Sequence, residues 1–394
     1  MSDNNLYSFD LKVNEKQSDM SLSNISFTLI DSIHKLYNTA KFTINDYTGI
    51  MNEYMAFVNG SKFDLQFNNE DDSVFTRPFR IIKNGVAQQK SQNNLNGDIE
   101  LECLNYNSKE LNKVISTAYN STISNVINDL LKNTSFTKIN IQDTLNKLLL
   151  ICPMISKEKF IMDILLKLSY HTTSYNTPYY CFMDNNNNFN FNSYYDMYSQ
   201  NSVATLSLNA QGDTLNYYSI SDLAIINDNF ETSNKCQNII QCNWDENNNF
   251  ISQKDSLLNY PSAKSILDGY IIPQIKDDYG IDEYSQCSEL YDFMDDEIII
   301  ALKADEQRKN LANETLILTV PYNENFVSGK TVDIQLPSTQ SNSSEELSVH
   351  YSGKYLIESS IINWNGRNAV CTLVCSRRSI KLNNDYKIKS LLLQ

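Results

Sequence analysis

Two blocks of short segments with an apolar period of two bracket a middle stretch with the period of a helix. One block fills the first hundred residues and the other the last ninety. In the first, Leu22, Ile25, Phe27 and Leu29 mark one strand and Ala40–Ile44 the next, followed by turn formers at Asn45, Asp46 and Gly49. Phe57-Val58, Asn59-Gly60 and then Phe63, Leu65 and Phe67 predict a strand, a tight turn and a strand. Phe75–Ile82 and the run after Asn96-Gly97 supply two more. Strands at this spacing with turn chemistry between them predict a sandwich or small barrel.

The middle changes period. Ile123, Val126, Ile127, Leu130 and Leu131 form the stripe of an amphipathic helix, with Ser121 or Thr122 as its cap. A second helix starts near Ser156, with Phe160, Ile161, Ile164, Leu165 and Leu168 on its apolar side. Tyr179–Met183, then Asp184 and Asn185–Asn188, then Phe189–Phe191 predict a hairpin whose asparagine run is an exposed loop. Strands resume at 205–208, 215–220, 223–226 and 238–244, a polar stretch covers 245–255, and 256–290 has no clean period. Tyr291–Asn313 reads as a helix with acids first and bases last, as the helix dipole favours. Strands then follow at 315–320, 332–336, 354–358, 361–364 and 369–375, with Asn365-Gly366 as the hairpin turn between the last two.

At 394 residues the length predicts two or three domains, and 41% hydrophobic residues suffice for packed cores. Lys plus Arg is 32 and Asp plus Glu is 47, a net charge of −15. That balance argues against a binder of duplex DNA or anionic membrane, which needs a cationic face. No run approaches the length of a membrane span, and the acidic polar start, Met1–Asn5, is not a signal peptide. Synthesis in a cytoplasm follows, where eight reduced cysteines are unremarkable.

Chemistry is sparse. There is no CxxC pair, and His34, His171 and His350 lie far apart, so no metal or cofactor site is expected. Cys371 and Cys375, four apart in a strand, are expected in the core. Phosphate loops and hydrolase motifs are missing, and the chain has 10 glycines in all. The acid pairs Asp71-Asp72, Asp277-Asp278 and Asp295-Asp296 could serve acid–base work, but they fit solvated turns and helix starts better. Cys181, beside Tyr180 and near His171, reads as a buried strand thiol rather than a nucleophile. Arg377-Arg378 could grip an anion; capping a strand edge or touching another subunit is the simpler reading. No catalytic residue is assigned.

The C-terminal block carries a resemblance. Phe326–Pro337 (FVSGKTVDIQLP) is similar to a strand of phage tail hub proteins. Ser352-Gly353-Lys354-Tyr355-Leu356-Ile357, followed by a strand pair ending at Leu373–Arg378, resembles the closing barrel of the central baseplate hub family of contractile-tailed bacteriophages. That family is related to the hub part of type VI secretion spike proteins. The helix from Ser156, the aromatic hairpin and Tyr194–Met197 resemble the family's middle unit, and residues 22–49 its opening strands.

The resemblance implies an α+β, mainly β chain: two similar antiparallel β-barrel tube domains, an intervening α/β domain and an insertion. The implied boundaries are 1–108 for the first barrel, 109–204 for the mixed domain, 205–246 plus 314–385 for the second barrel, 247–313 for the insertion and 386–394 for a tail. It implies a homotrimer whose paired barrels make a pseudo-sixfold ring between the sixfold tail tube protein and the threefold spike, or cell-puncturing, protein. Baseplate wedge and tape measure proteins are further implied partners, and DNA is met only in transit through the lumen. The implied place is the virion tail baseplate, after synthesis in the host bacterial cytoplasm. An acidic lumen would let DNA slide past, though −15 equally serves solubility. No lysozyme-like or needle segment is expected after the second barrel. The rival readings are a distal tail protein that binds a host receptor or glycan, and a tail-tip glycan hydrolase.

Overall fold

The structure, a computed structural model, describes residues 8–13, 16–18, 25–46, 57–68, 74–88, 97–144, 147–169, 178–208, 217–226, 238–244, 250–256, 314–337, 347–348, 351–365 and 368–377. It is mainly β. The first block contributes β1 (Ser8–Val13), β2 (Lys16–Ser18), β3 (Ile25–Ser32), β4 (Thr39–Asp46), β5 (Lys62–Asn68), β6 (Val74–Gln88) and β7 (Gly97–Asn105). They pair antiparallel in the order β2-β1-β5-β6-β7-β4-β3. In β3 and β4 inward residues alternate with half-exposed ones, as period two requires. The Asn59-Gly60 turn forms, with Gly60 at φ 92 and the Ser61 N–H on the Val58 carbonyl. Phe57-Val58 is not a strand, however, and β5 pairs instead with β6 and β1. Gly60 donates to Ile81 in β6, so the turn folds onto the neighbouring strand rather than joining two of its own.

The middle block holds α1 (Ser108–Leu111), β8 (Val114–Thr122), α2 (Ile123–Leu130), β9 (Lys138–Ile141), β10 (Lys147–Ser156) and α3 (Lys157–Lys159), with α3 running into a π-turn over Phe160–Leu165. It continues with β11 (Tyr179–Met183), β12 (Asn188–Ser193) and α4 (Tyr194–Ser199). The predicted caps are in place. Thr122 accepts the Asn125 N–H at 3.4 Å and Ser156 the Lys159 N–H at 3.3 Å. Ile123, Val126, Ile127 and Leu130 face a core with Phe160, Ile161 and Leu165, beneath the β8–β10 ribbon.

The last block adds β13 (Thr205–Ser207), β14 (Tyr217–Ser219), β15 (Asp222–Ile226), β16 (Asn238–Trp244), β17 (Phe250–Ser256), β18 (Glu314–Pro321), β19 (Thr331–Gln335), β20 (Gly353–Trp364) and β21 (Ala369–Arg377). The two strands expected at 354–358 and 361–364 are one, β20, with a bulge at Glu358. β17 covers the second half of the polar stretch, to which no strand was assigned, and pairs with β16 as a separate hairpin. The predicted helix at 291–313 and the loop at 338–346 lie outside the described residues.

β20 joins the two blocks. One edge pairs with β19 through Gly353–Leu356 and with β3 through Ser359–Trp364, while the other edge pairs with β21. The described strands of the two blocks, apart from the β16–β17 hairpin, therefore make one continuous fourteen-stranded sheet, not two separate closed barrels. They also share one core, from Ile25 and Phe42 to Trp364 and Cys375. Cys371 and Cys375 are fully buried there, as their spacing predicts.

Candidate functional site

The densest polar chemistry lies where the three blocks meet. Asp31, near the end of β3, sits opposite Ser360 of β20 and is buried. Its carboxyl accepts one backbone N–H from each of three segments. Ser360 donates to Oδ1 at 3.1 Å, and Asn185 and Ser328 donate to Oδ2 at 2.8 and 3.4 Å. Burial, then the nearby Asp184 carboxylate, pushes the Asp31 acid up to about 8, against the pull of the three N–H groups.

Asp184 opens the β11–β12 turn. It accepts the backbone N–H groups of Asn186 and Asn188 and the side-chain amides of Asn188 and Asn190. Burial raises its acid too. The asparagine run is thus not the exposed loop expected of it: Asn185 and Asn187 are buried, and the turn plugs the junction. Asn186 accepts from the Arg77 guanidinium at 2.8 Å and donates to the Glu324 carbonyl at 3.0 Å, tying β6 to the loop after β18. Asn187, in the left-handed region at φ 57, accepts from Asn105 at 3.1 Å and donates to the Ser135 carbonyl at 3.0 Å. Asparagine suits that position because it tolerates left-handed backbone and supplies both donor and acceptor. Asn187→Gly, which keeps the backbone and removes the amide, should cost about 2 kcal/mol in denaturant titration.

Tyr179–Met183 is apolar at every position, and all five residues are buried. That run signals a strand covered on both faces, while the burial of its turn comes from the partners that the other blocks supply.

The quoted C-terminal motifs fall on the same junction. Ser352 Oγ donates to the Leu336 carbonyl and accepts the Leu336 N–H, both at 3.0 Å, clamping the end of β19 beside Gly353 at φ 137. Gly329, at φ 80, donates to Ile357 at 2.8 Å and lies against Phe182 of β11. Phe182 packs with Ile33, Tyr180, Met197 and Leu356 in a cluster drawn from all three blocks.

The sequence candidates for chemistry are not brought together. Asp71-Asp72, Asp277-Asp278, Asp295-Asp296, His171 and Arg378 lie outside the described residues. Cys181 is buried in β11. Burial pushes the Cys371 thiol up to about 12, and raises those of Cys103 and Cys375 further, so these sulfurs are core groups rather than nucleophiles. Arg377 does not cap an edge, since β21 is paired on both sides. It is buried, 4.8 Å from the Tyr355 ring centroid, and donates to the Ser352 carbonyl at 3.2 Å. His34 stands 3.2 Å from Glu358 at the β20 bulge, and Ser376 donates to the same carboxylate. Serine and histidine thus both address the acid, and no hydroxyl is aimed at the imidazole as a nucleophile would need. Among the described residues no three His, Cys, Asp or Glu cluster to hold a metal, and no helix is long and apolar enough to cross a membrane.

No protein family profile and no curated protein matches the sequence. Solved structures do. The tail protein from Neisseria meningitidis MC58 is 10% identical, with 95% of this chain and 98% of that one aligned at a TM-score of 0.57. The 43 kDa tail protein of prophage MuSo2 from Shewanella oneidensis is 9% identical over 94% and 98% of the two chains, with a TM-score of 0.56. A chain from the PdpA–VgrG complex is 8% identical over 94% of this chain and 64% of its own, with a TM-score of 0.50. What is shared at these identities is the fold, and it runs nearly end to end. The sequence resemblance to phage tail proteins is met by a tail-protein fold.

Proposed function

We propose that this chain is a non-catalytic hub of a phage tail baseplate, acting as three copies. The hub would join a sixfold tube to a threefold spike and leave a channel for the genome. The observation that carries this reading is the doubled sheet. One polypeptide sets an N-terminal and a C-terminal strand block side by side through β20, over a single core. Three such chains present six strand blocks around an axis, which is what matching a sixfold partner to a threefold one requires.

Barrel-like closure of the second half is supported by the corner at Ile220-Ser221. Ile220 donates to Ser207 of β13 and Ser221 to Thr319 of β18, so one bent segment, 217–226, touches both ends of that half. The domain limits given above stand as part of the proposal. An insertion is supported by β15 and β18, which pair directly across 227–313, although the separate hairpin there begins with β16, ahead of the proposed limit at 247. The fold shared with two tail proteins supports the virion tail as its place, and the likeness to a chain from a VgrG complex supports a spike as partner.

The test is particle mass in solution together with rotational symmetry by electron microscopy. A trimer with a central hole and two similar lobes per chain is expected. A stable dimer, or a closed ring of six chains, overturns the reading.

A further inference from the structure

We propose that the outer face of the β8–β10 ribbon is where a second copy of this chain docks. The ribbon is two-sided. Leu150 and Cys152 point into the middle core, with Tyr119 across from Leu150 on β8, and Ile115 packs against the same core. The residues between them point the other way. Leu149 is 76% exposed, Ile151 68%, Met154 76% and Val114 60%, and Ala118 lies directly opposite Ile151. These four large side chains leave on the order of 500 Å² of apolar surface in water, the size of the largest patch a monomer carries, which is often a functional one.

Two further features mark the face as an interface. Among the described residues β8 and β10 pair only with each other, so each has a free edge. Natural free edges are blunted by charge, proline or bulges; β10 carries Pro153 and a bulge, while β8, at 114–122, holds no charged residue and no proline and is the unguarded edge. At the bulge between Cys152 and Ile155, Met154 takes φ 54, a conformation that a methionine rarely adopts, and it is turned outward.

Charge selects the occupant. Copies of a chain with net charge −15 repel one another and can meet only where acid is missing. This face has no Asp or Glu. A basic partner would find no acid on these two strands to pair with. The area fits too, because a stable interface removes about 800 Å² from each partner, and the apolar patch supplies more than half of that. The proposal rests on the hub reading for the number of copies and adds the face through which they touch.

The experiment compares wild type with Ile151→Asp by light scattering over a concentration series, with circular dichroism as the folding control. Because the replaced side chain is exposed, the fold should survive. Association should weaken by roughly a hundredfold, as expected for a central apolar anchor. Unchanged assembly of Ile151→Asp overturns this proposal and leaves a trimeric hub standing. A wild-type dimer that the substitution breaks keeps the docking face and overturns the hub. Wild type that stays monomeric throughout overturns the docking face. Amide exchange on unmodified protein gives an independent reading: 114–122 and 147–156 should exchange more slowly in the assembly than after dilution, and equal rates refute the docking face.

Discussion

Asp31→Ala is expected to destabilise the protein by about 3–5 kcal/mol, because it strips the acceptor from three buried N–H groups at once. Asn185, Ser328 and Ser360 belong to two different blocks, and Asp31 to the third. Each orphaned donor costs roughly 1–3 kcal/mol where water cannot replace the carboxyl, and relief of a buried acid offsets part of the sum. Scanning calorimetry should show a lower transition, or a split one if the blocks uncouple. Unchanged melting would mean that the junction is not held by this residue.

The same carboxyl makes stability depend on pH. Folded, Asp31 titrates near 8, while in the unfolded chain an aspartate titrates near 4. Between those values the native state holds a proton that the unfolded state has released. This group's stabilising contribution is therefore complete below about pH 4, shrinks as pH rises, and is gone above about pH 8. Asp31→Asn removes the titration but retains one acceptor oxygen. Its melting temperature should fall below wild type at pH 5 and should change less between pH 5 and 9. A variant with the wild-type slope would assign the pH dependence to other groups, Asp184 first among them.

Much of the fold was legible because local period and tertiary burial agree. The alternation in Ile25–Ser32, the stripe and cap at Thr122–Leu130 and the Asn365 turn between β20 and β21 all follow rules of neighbouring residues. Where burial is set by a distant partner, the reading failed. Leu148–Ile151, one apolar run in sequence, was assigned to no element. Its even members face a core and its odd members face water, a split made by the ribbon's position over α2. Phe250–Ser256 carries polar residues, yet it pairs along its length with Asn238–Trp244. Asn185–Asn188 looked like a surface loop because asparagine is usually solvated, and it lies inside because three blocks supply its hydrogen-bond partners. The candidate site was half legible. Ser328, Gly329 and Ser352 were singled out as a pattern, while Asp31, to which Ser328 donates, gave no local signal.

Gly329→Ala should cost about 2–4 kcal/mol, and two causes contribute that can be separated. The first is backbone: at φ 80 any side chain with a Cβ is strained, by about 1 kcal/mol. The second is contact. An added Cβ would lie 2.5 Å from Cζ of Phe182, 3.2 Å from its Cε2 and 3.3 Å from Sδ of Met197. Phe182 is buried among Ile33, Tyr194 and Leu356, so the ring has no space to yield, and overpacking of this kind costs about 1–3 kcal/mol. Gly329→Asn tolerates the left-handed backbone but keeps the clash, so it should remain nearly as destabilised as alanine. Adding Phe182→Leu should recover part of the loss in Gly329→Ala, while costing stability in the wild-type background as any core truncation does. A double-mutant cycle reads this directly, with a coupling of about 1–2 kcal/mol expected between positions 329 and 182. Additive effects would place the whole cost in the backbone, and Phe182 would then not be the wall against which the C-terminal block is set.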